Sequence, residues 1–230
     1  MSTTRKLVIA IDGPAGSGKS TIAARLAHKL GYINLESGAM YRALALKALE
    51  QGVSLDDAEA LRRLAEDTVV QLEPHGEGNR VLLDGRDVSQ RIREADVTAA
   101  ASRVSVHPPV RQLMVARQRE LGRDGGVVME GRDIGTAVFP NAEVKVFLDA
   151  DASIRAERRL RQNGPDSAQE KHQILAELAA RDQRDRTRSV SPLVPAPDAV
   201  ILDTTHKSID EVVAEVEGIV EKVVRGAVSG

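Results

Sequence analysis

The chain has 230 residues, of which 42% are hydrophobic and 29% are charged, proportions typical of a folded, water-soluble protein. A formal net charge of −2, with two Tyr, two Phe and no Trp, argues against a nucleic-acid partner, because such partners need a basic surface or stacking rings. Cysteine is absent, which excludes disulfides and thiolate metal sites and fits a reducing, cytoplasmic location.

The first predicted element is a strand over Leu7 to Ile11, an apolar, β-branched run that Asp12-Gly13-Pro14 stops. This run is too short for a membrane span or a signal-peptide core, so no membrane partner is expected. Apolar residues at helical spacing then predict a helix from about Lys19 to Leu30, ended by Gly31. A strand, a glycine-rich loop and a helix thus open the chain as a βα unit.

A second strand, near residues 33 to 35, leads to Ser37, which we interpret as the N-cap of the next helix. The segment Ser54-Leu55-Asp56-Asp57 opens a further helix, and two short strands follow, at Thr68 to Leu72 and Arg80 to Leu83. Because this hairpin interrupts the alternation of strands and helices, we interpret residues 63–102 as an inserted subdomain.

Parallel α/β order resumes after the insertion. A helix is predicted from Pro108 to about Leu121, and buried strands are predicted at Val127 to Met129, Val144 to Leu148 and Ala199 to Leu202. A final helix runs from about Ser208. We therefore expect an α/β fold with a central parallel sheet flanked by helices.

The strongest motif is Gly13 to Ser20, which matches the phosphate loop G-x-x-x-x-G-K-[ST] between a predicted strand and a predicted helix. Its glycines let backbone N–H groups approach phosphate oxygens, and the helix N-terminus adds partial positive charge. Lys19 offers a cation to the β- and γ-phosphates, and Ser20 is placed to bind Mg²⁺. The motif predicts binding of ATP with Mg²⁺. The five histidines are scattered, so a metal held by protein ligands alone is not expected.

Two charged segments point to a second ligand. Glu130-Gly131-Arg132-Asp133 follows a buried strand, at the sheet edge where ligands bind in this architecture. Its alternative is an exposed turn of weak ion pairs. In the run Arg181 to Arg188, three arginines share one helical face, which favours an anion among them or, alternatively, a solvated surface.

Six stretches together resemble the bacterial cytidylate kinases. They are Ile11 to Ser20, Ser37 to Arg42, Glu130 to Thr136, Val138 to Pro140, Arg181 to Arg188 and Ser191 to Leu193. The resemblance covers nearly the whole chain. It implies a P-loop kinase with an inserted α+β nucleoside monophosphate-binding subdomain at 63–102, a core formed by 1–62 and 103–230, and a short lid at about 158–170. It also implies a monomeric cytoplasmic enzyme that transfers the γ-phosphoryl group of ATP to CMP or dCMP.

The same resemblance assigns site residues. ATP would contact Asp12, Gly13, Pro14, Ala15, Gly16, Ser17, Gly18, Lys19, Ser20 and Thr21. The acceptor would contact Ser37, Arg42, Ser102, Arg111, Arg132, Asp133, Arg181, Asp185 and Arg188. The catalytic cations would be Lys19, Arg132, Arg181 and an arginine of the lid region. For that last role Arg158 is the chosen residue, and Arg155, Arg159 and Arg161 are the alternatives. At Glu36 the family usually has Asp.

The chemistry of such a transfer fits these residue types. A phosphomonoester is mostly dianionic at neutral pH, so its oxygen needs no general base, only positioning and charge stabilisation. For base choice, the Asp133 carboxylate would accept a hydrogen bond from the cytosine amino group and repel the carbonyl of uracil. Two alternatives stay open from the residues: a P-loop kinase for another small acceptor, and a nucleotide-dependent switch that transfers no phosphoryl group.

Overall fold

The computed structural model describes residues 6–76, 78–163 and 168–228. Its strands are β1 (Val8–Asp12), β2 (Ile33–Glu36), β3 (Val70–His75), β4 (Gly78–Leu83), β5 (Arg86–Asp87), β6 (Val127–Gly131), β7 (Val144–Asp149) and β8 (Val200–Asp203). Five of them form a parallel sheet in the order β2-β6-β1-β7-β8, and β3, β4 and β5 form a small antiparallel sheet. The predicted α/β fold with a central parallel sheet is confirmed.

The helices are α1 (Lys19–Leu30), α2 (Ser37–Glu50), α3 (Ala58–Glu66), α4 (Ala95–Val104), α5 (Pro108–Leu121), α6 (Ala152–Asn163), α7 (Ala168–Thr187) and α8 (Ile209–Val228). A short 3₁₀ turn covers Arg91–Arg93, and a π-type turn covers Ile134–Val138. None of the helices within the described ranges is long and apolar enough to cross a membrane.

The central strand β1 is covered on both faces, as its uninterrupted apolar sequence requires. Ile9 and Ile11 pack into the core that α1 and α8 cover, whereas Ala10 packs with Met129 and Ile134 on the opposite side. Successive side chains of a strand point to opposite faces, so this alternation fixes the register of β1 against β6 and β7.

A separate core packs around the small antiparallel sheet. It includes Val81 and Leu83 of β4, together with Leu44 of α2, Leu61 of α3 and Met114 of α5. Helices on both sides of the predicted insertion therefore contribute to this core. The division of the chain at residues 63 and 102 stays a prediction.

Most predicted elements are confirmed, and one helix start is wrong. Helix α1 begins at Lys19 and ends before Gly31, as predicted. Ser37 is not the N-cap of α2 but its first residue, and its hydroxyl donates to the Glu130 carbonyl oxygen at 2.7 Å. The helix predicted to follow residues 54–57 begins at Ala58, because the Asp57 carboxylate accepts hydrogen bonds from the N–H groups of Glu59 and Ala60 in the first turn of α3.

Candidate active site

The phosphate loop bends sharply between β1 and α1, and its glycines are required by close backbone approach. Gly13 has a φ of +148°, and a Cβ there would lie 2.1 Å from the Leu148 carbonyl oxygen of β7. Gly18, the residue before α1, has a φ of +94°, which L side chains rarely adopt. The sequence thus places the N-terminus of α1 against the carboxyl end of the sheet, the geometry of an anion site.

Lys19 is buried beneath this loop. Its Nζ donates to the Pro14 carbonyl oxygen at 2.7 Å and to Ser17 Oγ at 3.4 Å. Burial, with the nearby Arg132 guanidinium, lowers the pKa of Lys19 to about 7. A polyphosphate bound at the loop would give this ammonium an anionic partner.

Ser20 and Glu130 bring two oxygen atoms together beside Lys19. Ser20 Oγ donates to Glu130 Oε1 at 3.0 Å, and Glu130 is buried at the end of β6. A hydroxyl and a carboxylate are the hard donors that Mg²⁺ accepts, and this ion takes most of its other ligands from water and phosphate. No group of three or more His, Asp or Glu side chains is gathered as a metal site in the described ranges. The Ser20 and Glu130 pair therefore fits Mg²⁺ bound together with a nucleotide.

Asp12 lies under the loop, and the family resemblance places it among the ATP contacts. Both of its carboxylate oxygens accept backbone hydrogen bonds, from Ile134 N at 2.8 Å and from Gly135 N at 2.7 Å. Burial raises the pKa of Asp12 to about 6. Its carboxylate thus anchors the turn after Asp133, a role that the motif does not predict.

Three arginines from distant parts of the chain face the same space. Arg42 comes from α2, Arg132 follows β6 and Arg181 lies on α7. Arg132 Nε donates to Asp185 Oδ2 at 2.9 Å, and Arg42 pairs with Glu36. Although burial alone would raise it, the Arg42 and Arg93 guanidiniums hold the pKa of Glu36 below its usual value.

Arg181 differs from its neighbours because it makes no ion pair with any side chain in the described part of the chain. Burial and the charge of Arg132, with smaller effects from Arg42 and Arg159, lower the pKa of Arg181 to about 10. Cations crowded in this way repel one another unless an anion lies between them. We call Arg42, Arg132 and Arg181 the arginine nest.

Next to the nest, Asp133 is held between two arginines. Its carboxylate pairs with Arg111 and lies 3.3 Å from Arg188 Nη2, and all three side chains are buried. The Arg111 guanidinium stacks 5.6 Å from the centre of the Tyr41 ring. Tyr41 Oη has no hydrogen-bond partner among the described residues, and burial raises the pKa of Tyr41 to about 12. This buried, polar corner is suited to a flat, hydrogen-bonding ligand.

Ser102 borders the same corner. Its Oγ accepts from Arg184 Nε at 3.0 Å, which links α4 to α7. Five of the predicted acceptor residues are joined by ionic contacts, which run in the order Arg111, Asp133, Arg188, Asp185 and Arg132. The side chains of Ser37, Arg42 and Ser102 bond to residues outside this set. The exposed-turn alternative for Glu130 to Asp133 is wrong, because both acids are buried, and the solvated-surface alternative fails for Asp185 and Arg188 for the same reason.

The lid arginines have different partners. Arg155 is buried and pairs with Asp182 at 2.6 Å, whereas Arg158 Nη1 donates to Thr204 Oγ1 at 3.0 Å. Arg159 is near enough to affect the pKa of Arg181. Residues 164–167 of the predicted lid lie outside the described residues. The role of Arg158 at the transferring phosphoryl stays a prediction.

Several contributors to this site were not predicted from the sequence. They are Asp182, Tyr41 and the Glu130 carboxylate as a partner of Ser20. Glu130 carried the only detectable signal, since an acid at the end of a strand next to a phosphate loop is placed for a metal. In the sequence Asp182 is one of several acids in a charged run, and only its buried ion pair with Arg155 distinguishes it from the others.

Comparison with known proteins agrees with this geometry. The family model described as "Cytidylate kinase" matches residues 9–222. The cytidylate kinase of Geobacillus kaustophilus is 51% identical over 95% of this chain and 98% of its own length, and that of Pasteurella multocida is 49% identical over 92% and 94%.

Among solved structures, a gluconokinase from Sinorhizobium meliloti has a TM-score of 0.51 and 15% identity, over 97% of this chain and 96% of its own. That likeness concerns the fold alone. The family model and the two bacterial relatives span nearly the whole chain, including the phosphate loop, the end of β6 and α7. The chain belongs to the cytidylate kinase family.

Proposed function

We propose that this protein transfers the γ-phosphoryl group of ATP to CMP or dCMP, giving ADP and CDP or dCDP. Membership of the cytidylate kinase family supports this activity. The observation that carries it is the meeting of a phosphate loop and an arginine nest at one edge of the sheet. Two polyanions bound there would face each other end to end, which is the arrangement that phosphoryl transfer requires.

On the donor side, the loop residues Gly13 to Thr21 bind the phosphates of ATP through backbone N–H groups. Lys19 moves from its contact with the Pro14 carbonyl to the β- and γ-phosphates and becomes fully charged as it does so. A buried cation that gains its partner only when phosphate is present stabilises the charge developing during transfer.

On the acceptor side, the arginine nest binds the monophosphate, with Ser37 at its edge. Asp185 orients Arg132 and contacts the ribose, and Asp133, Arg111, Arg188 and Ser102 bind the cytosine. The acceptor oxygen attacks the γ-phosphorus in line, and the bond to the β–γ bridging oxygen breaks as ADP leaves. The dianionic phosphate provides the nucleophile, so no side chain needs to remove a proton.

Magnesium belongs to this proposal through Ser20 and Glu130, the two oxygen donors that lie 3.0 Å apart. These residues would hold the ion beside the triphosphate. When bound, Mg²⁺ would neutralise charge on the β- and γ-phosphates.

Arg158 is proposed as the lid cation that approaches the transferring group, by release from Thr204 when the lid closes. Closure would also exclude water, which competes with the acceptor for the phosphoryl group. An Arg158→Met variant tests this role. It should lower kcat while leaving the KM for CMP within about threefold of the wild-type value.

We further propose that the enzyme is monomeric and cytoplasmic and acts on free nucleotides. The absence of cysteine suits a reducing compartment, and a net charge of −2 gives no general attraction to nucleic acid.

A coupled assay of ADP release tests the function directly. ATP and Mg²⁺ are supplied with CMP, dCMP, UMP, AMP or no acceptor, and the product is identified by chromatography. We expect ADP release that depends on CMP or dCMP, with CDP or dCDP formed in equal amount. Equal rates with every acceptor, or hydrolysis without an acceptor, would refute the proposal.

A further inference from the structure

We infer that Asp182 and Arg155 form a positioning device that fixes the arginine-bearing helix α7 to the phosphate loop. Asp182 Oδ2 accepts from Arg155 Nη1 at 2.6 Å, and Asp182 Oδ1 accepts from the Ala15 backbone N–H at 3.4 Å. Arg155 Nη1 also donates to the Ala15 carbonyl oxygen at 2.9 Å. Both polar groups of Ala15 are therefore held by this pair of side chains. We call the pair and the Ala15 backbone the Asp182 clamp.

The clamp connects four parts of the fold. Arg155 lies on α6, Asp182 on α7 and Ala15 in the phosphate loop, and Arg155 Nε donates to the carbonyl oxygen of Ala150, just after β7. The side chains of Arg155 and Asp182 are 9% and 10% exposed. An ion pair that is sheltered from water and satisfied by further hydrogen bonds holds its geometry much more firmly than an exposed pair.

Close packing supports the same connection. Ala15 is buried in a small apolar cluster with Ala156 of α6 and Leu178 of α7. A Cβ on Gly16 would lie 3.0 Å from the Arg155 carbonyl oxygen, so α6 comes directly against the loop. The tip of the phosphate loop is thus lodged against both helices.

The position of Asp182 in α7 places the clamp next to the residues of the acceptor side. The preceding residue is Arg181 of the nest, and one turn later Asp185 pairs with Arg132. A single turn of helix therefore bonds to the donor loop through Asp182 and to the acceptor side through its neighbours. We conclude that the clamp sets the distance between the two bound nucleotides, and that its two side chains act on that distance through the loop and α7 rather than by contact with either nucleotide.

This inference rests on the proposed function, and its test separates the two. Turnover of ATP and CMP by the wild-type enzyme tests the function, whereas the ratio of variant to wild type tests the clamp. In Asp182→Asn the side chain keeps its shape but loses the charge. Because a displacement of about 1 Å between reacting groups costs about 100-fold in rate, we expect kcat to fall by roughly 10- to 100-fold.

Binding of each nucleotide alone should change little, because the substituted side chain contacts neither ligand and the Ala15 backbone remains in place. We expect the Kd of ATP and the Kd of CMP, measured separately by calorimetry, to stay within about threefold of wild type. The ratio of ADP formed to CDP formed should rise, because a misplaced acceptor lets water compete. A side chain that only stabilised the fold would not move this ratio.

Asp210→Asn is the matched control. It removes the Arg25 and Asp210 ion pair, which is also 2.6 Å long but exposed, and kcat should not change. Arg155→Lys is the second clamp variant, since an ammonium keeps the charge but cannot reach all three of its acceptors. An unchanged kcat and product ratio in Asp182→Asn overturns the inference. So does unfolding of both clamp variants, which would assign the pair to stability alone.

Discussion

Arg132 Nε donates to Asp185 Oδ2 at 2.9 Å, and this hydrogen bond joins the residue that follows β6 to the last turn of α7. Burial acts to lower the pKa of Arg132, but Asp185 and Glu130 hold it above its ordinary value. The neighbouring Arg181 has no such partner in the described ranges, and its pKa is depressed. One cation of the nest is thus neutralised by the protein, and another is left for the ligand.

Arg181→Met should therefore separate binding from stability. We expect kcat/KM for CMP to fall by about 100-fold, which corresponds to about 2.7 kcal/mol, because a charged hydrogen bond to phosphate is lost. The folded state should become no less stable, since the lost charge repels Arg132. Steady-state kinetics with CMP and thermal unfolding without ligand measure the two effects. A lower melting temperature with normal kinetics would contradict the ligand role.

The sequence predicted the elements that local chemistry determines. Residues 13–20 predicted the phosphate loop, and the apolar run of residues 7–11 predicted a buried central strand, because each pattern lies within a few neighbouring residues. The start of α2 was misjudged because Ser37 bonds to Glu130, a residue 93 positions away. Contacts of that range leave no local pattern in the sequence.

The site shows the same division. Its charged segments were found from their density, but the separate roles of Arg181, Asp182 and Asp185 depend on which of them has a buried partner. A helical face of mixed charge does not reveal this. Only the packing of α7 against the loop and against β6 distinguishes the three.

Asp133→Asn tests recognition of the base. An amide can turn its NH₂ group toward the uracil carbonyl, whereas the carboxylate accepts only from the cytosine amino group. We expect the ratio of kcat/KM for CMP to that for UMP to fall by at least about tenfold, with the KM for ATP nearly constant. Acceptor kinetics with both nucleotides measure it, with Asp210→Asn as the control. An unchanged ratio would show that Asp133 does not recognise the base.

Glu130→Gln tests the metal site. Loss of a carboxylate charge beside Ser20 should raise the Mg²⁺ concentration for half-maximal rate severalfold, because Mg²⁺ prefers charged oxygen donors. Initial rates over a Mg²⁺ series at saturating ATP and CMP give this value. Glu217→Gln, at a half-buried carboxylate paired with the exposed Lys29 and remote from the phosphate loop in sequence, serves as the control. Identical Mg²⁺ dependence in the two variants would show that Glu130 does not act on the metal.

Lys19 makes ATP binding depend on pH in a direction that can be measured. In the ligand-free protein the pKa of Lys19 is about 7, lowered by burial and by Arg132, so above that pH the side chain is mostly neutral. A bound triphosphate favours the ammonium and returns the pKa toward its ordinary value of about 10.5. Binding at alkaline pH must therefore take up a proton, approaching about one per ATP, and little uptake is expected below pH 7.

The same shift governs stability without ligand. Because the pKa of Lys19 is about 7 in the folded state and about 10.5 in the unfolded state, the free energy of unfolding decreases as the pH falls from about 10.5 to about 7. Bound nucleotide relieves part of this cost of burying the charged side chain. Calorimetry of ATP binding in buffers of different ionisation enthalpy, at about pH 6 and about pH 8.5, counts the protons. Lys19→Met should abolish the difference between the two pH values together with turnover. Proton uptake that persists in this variant would assign the effect to another group.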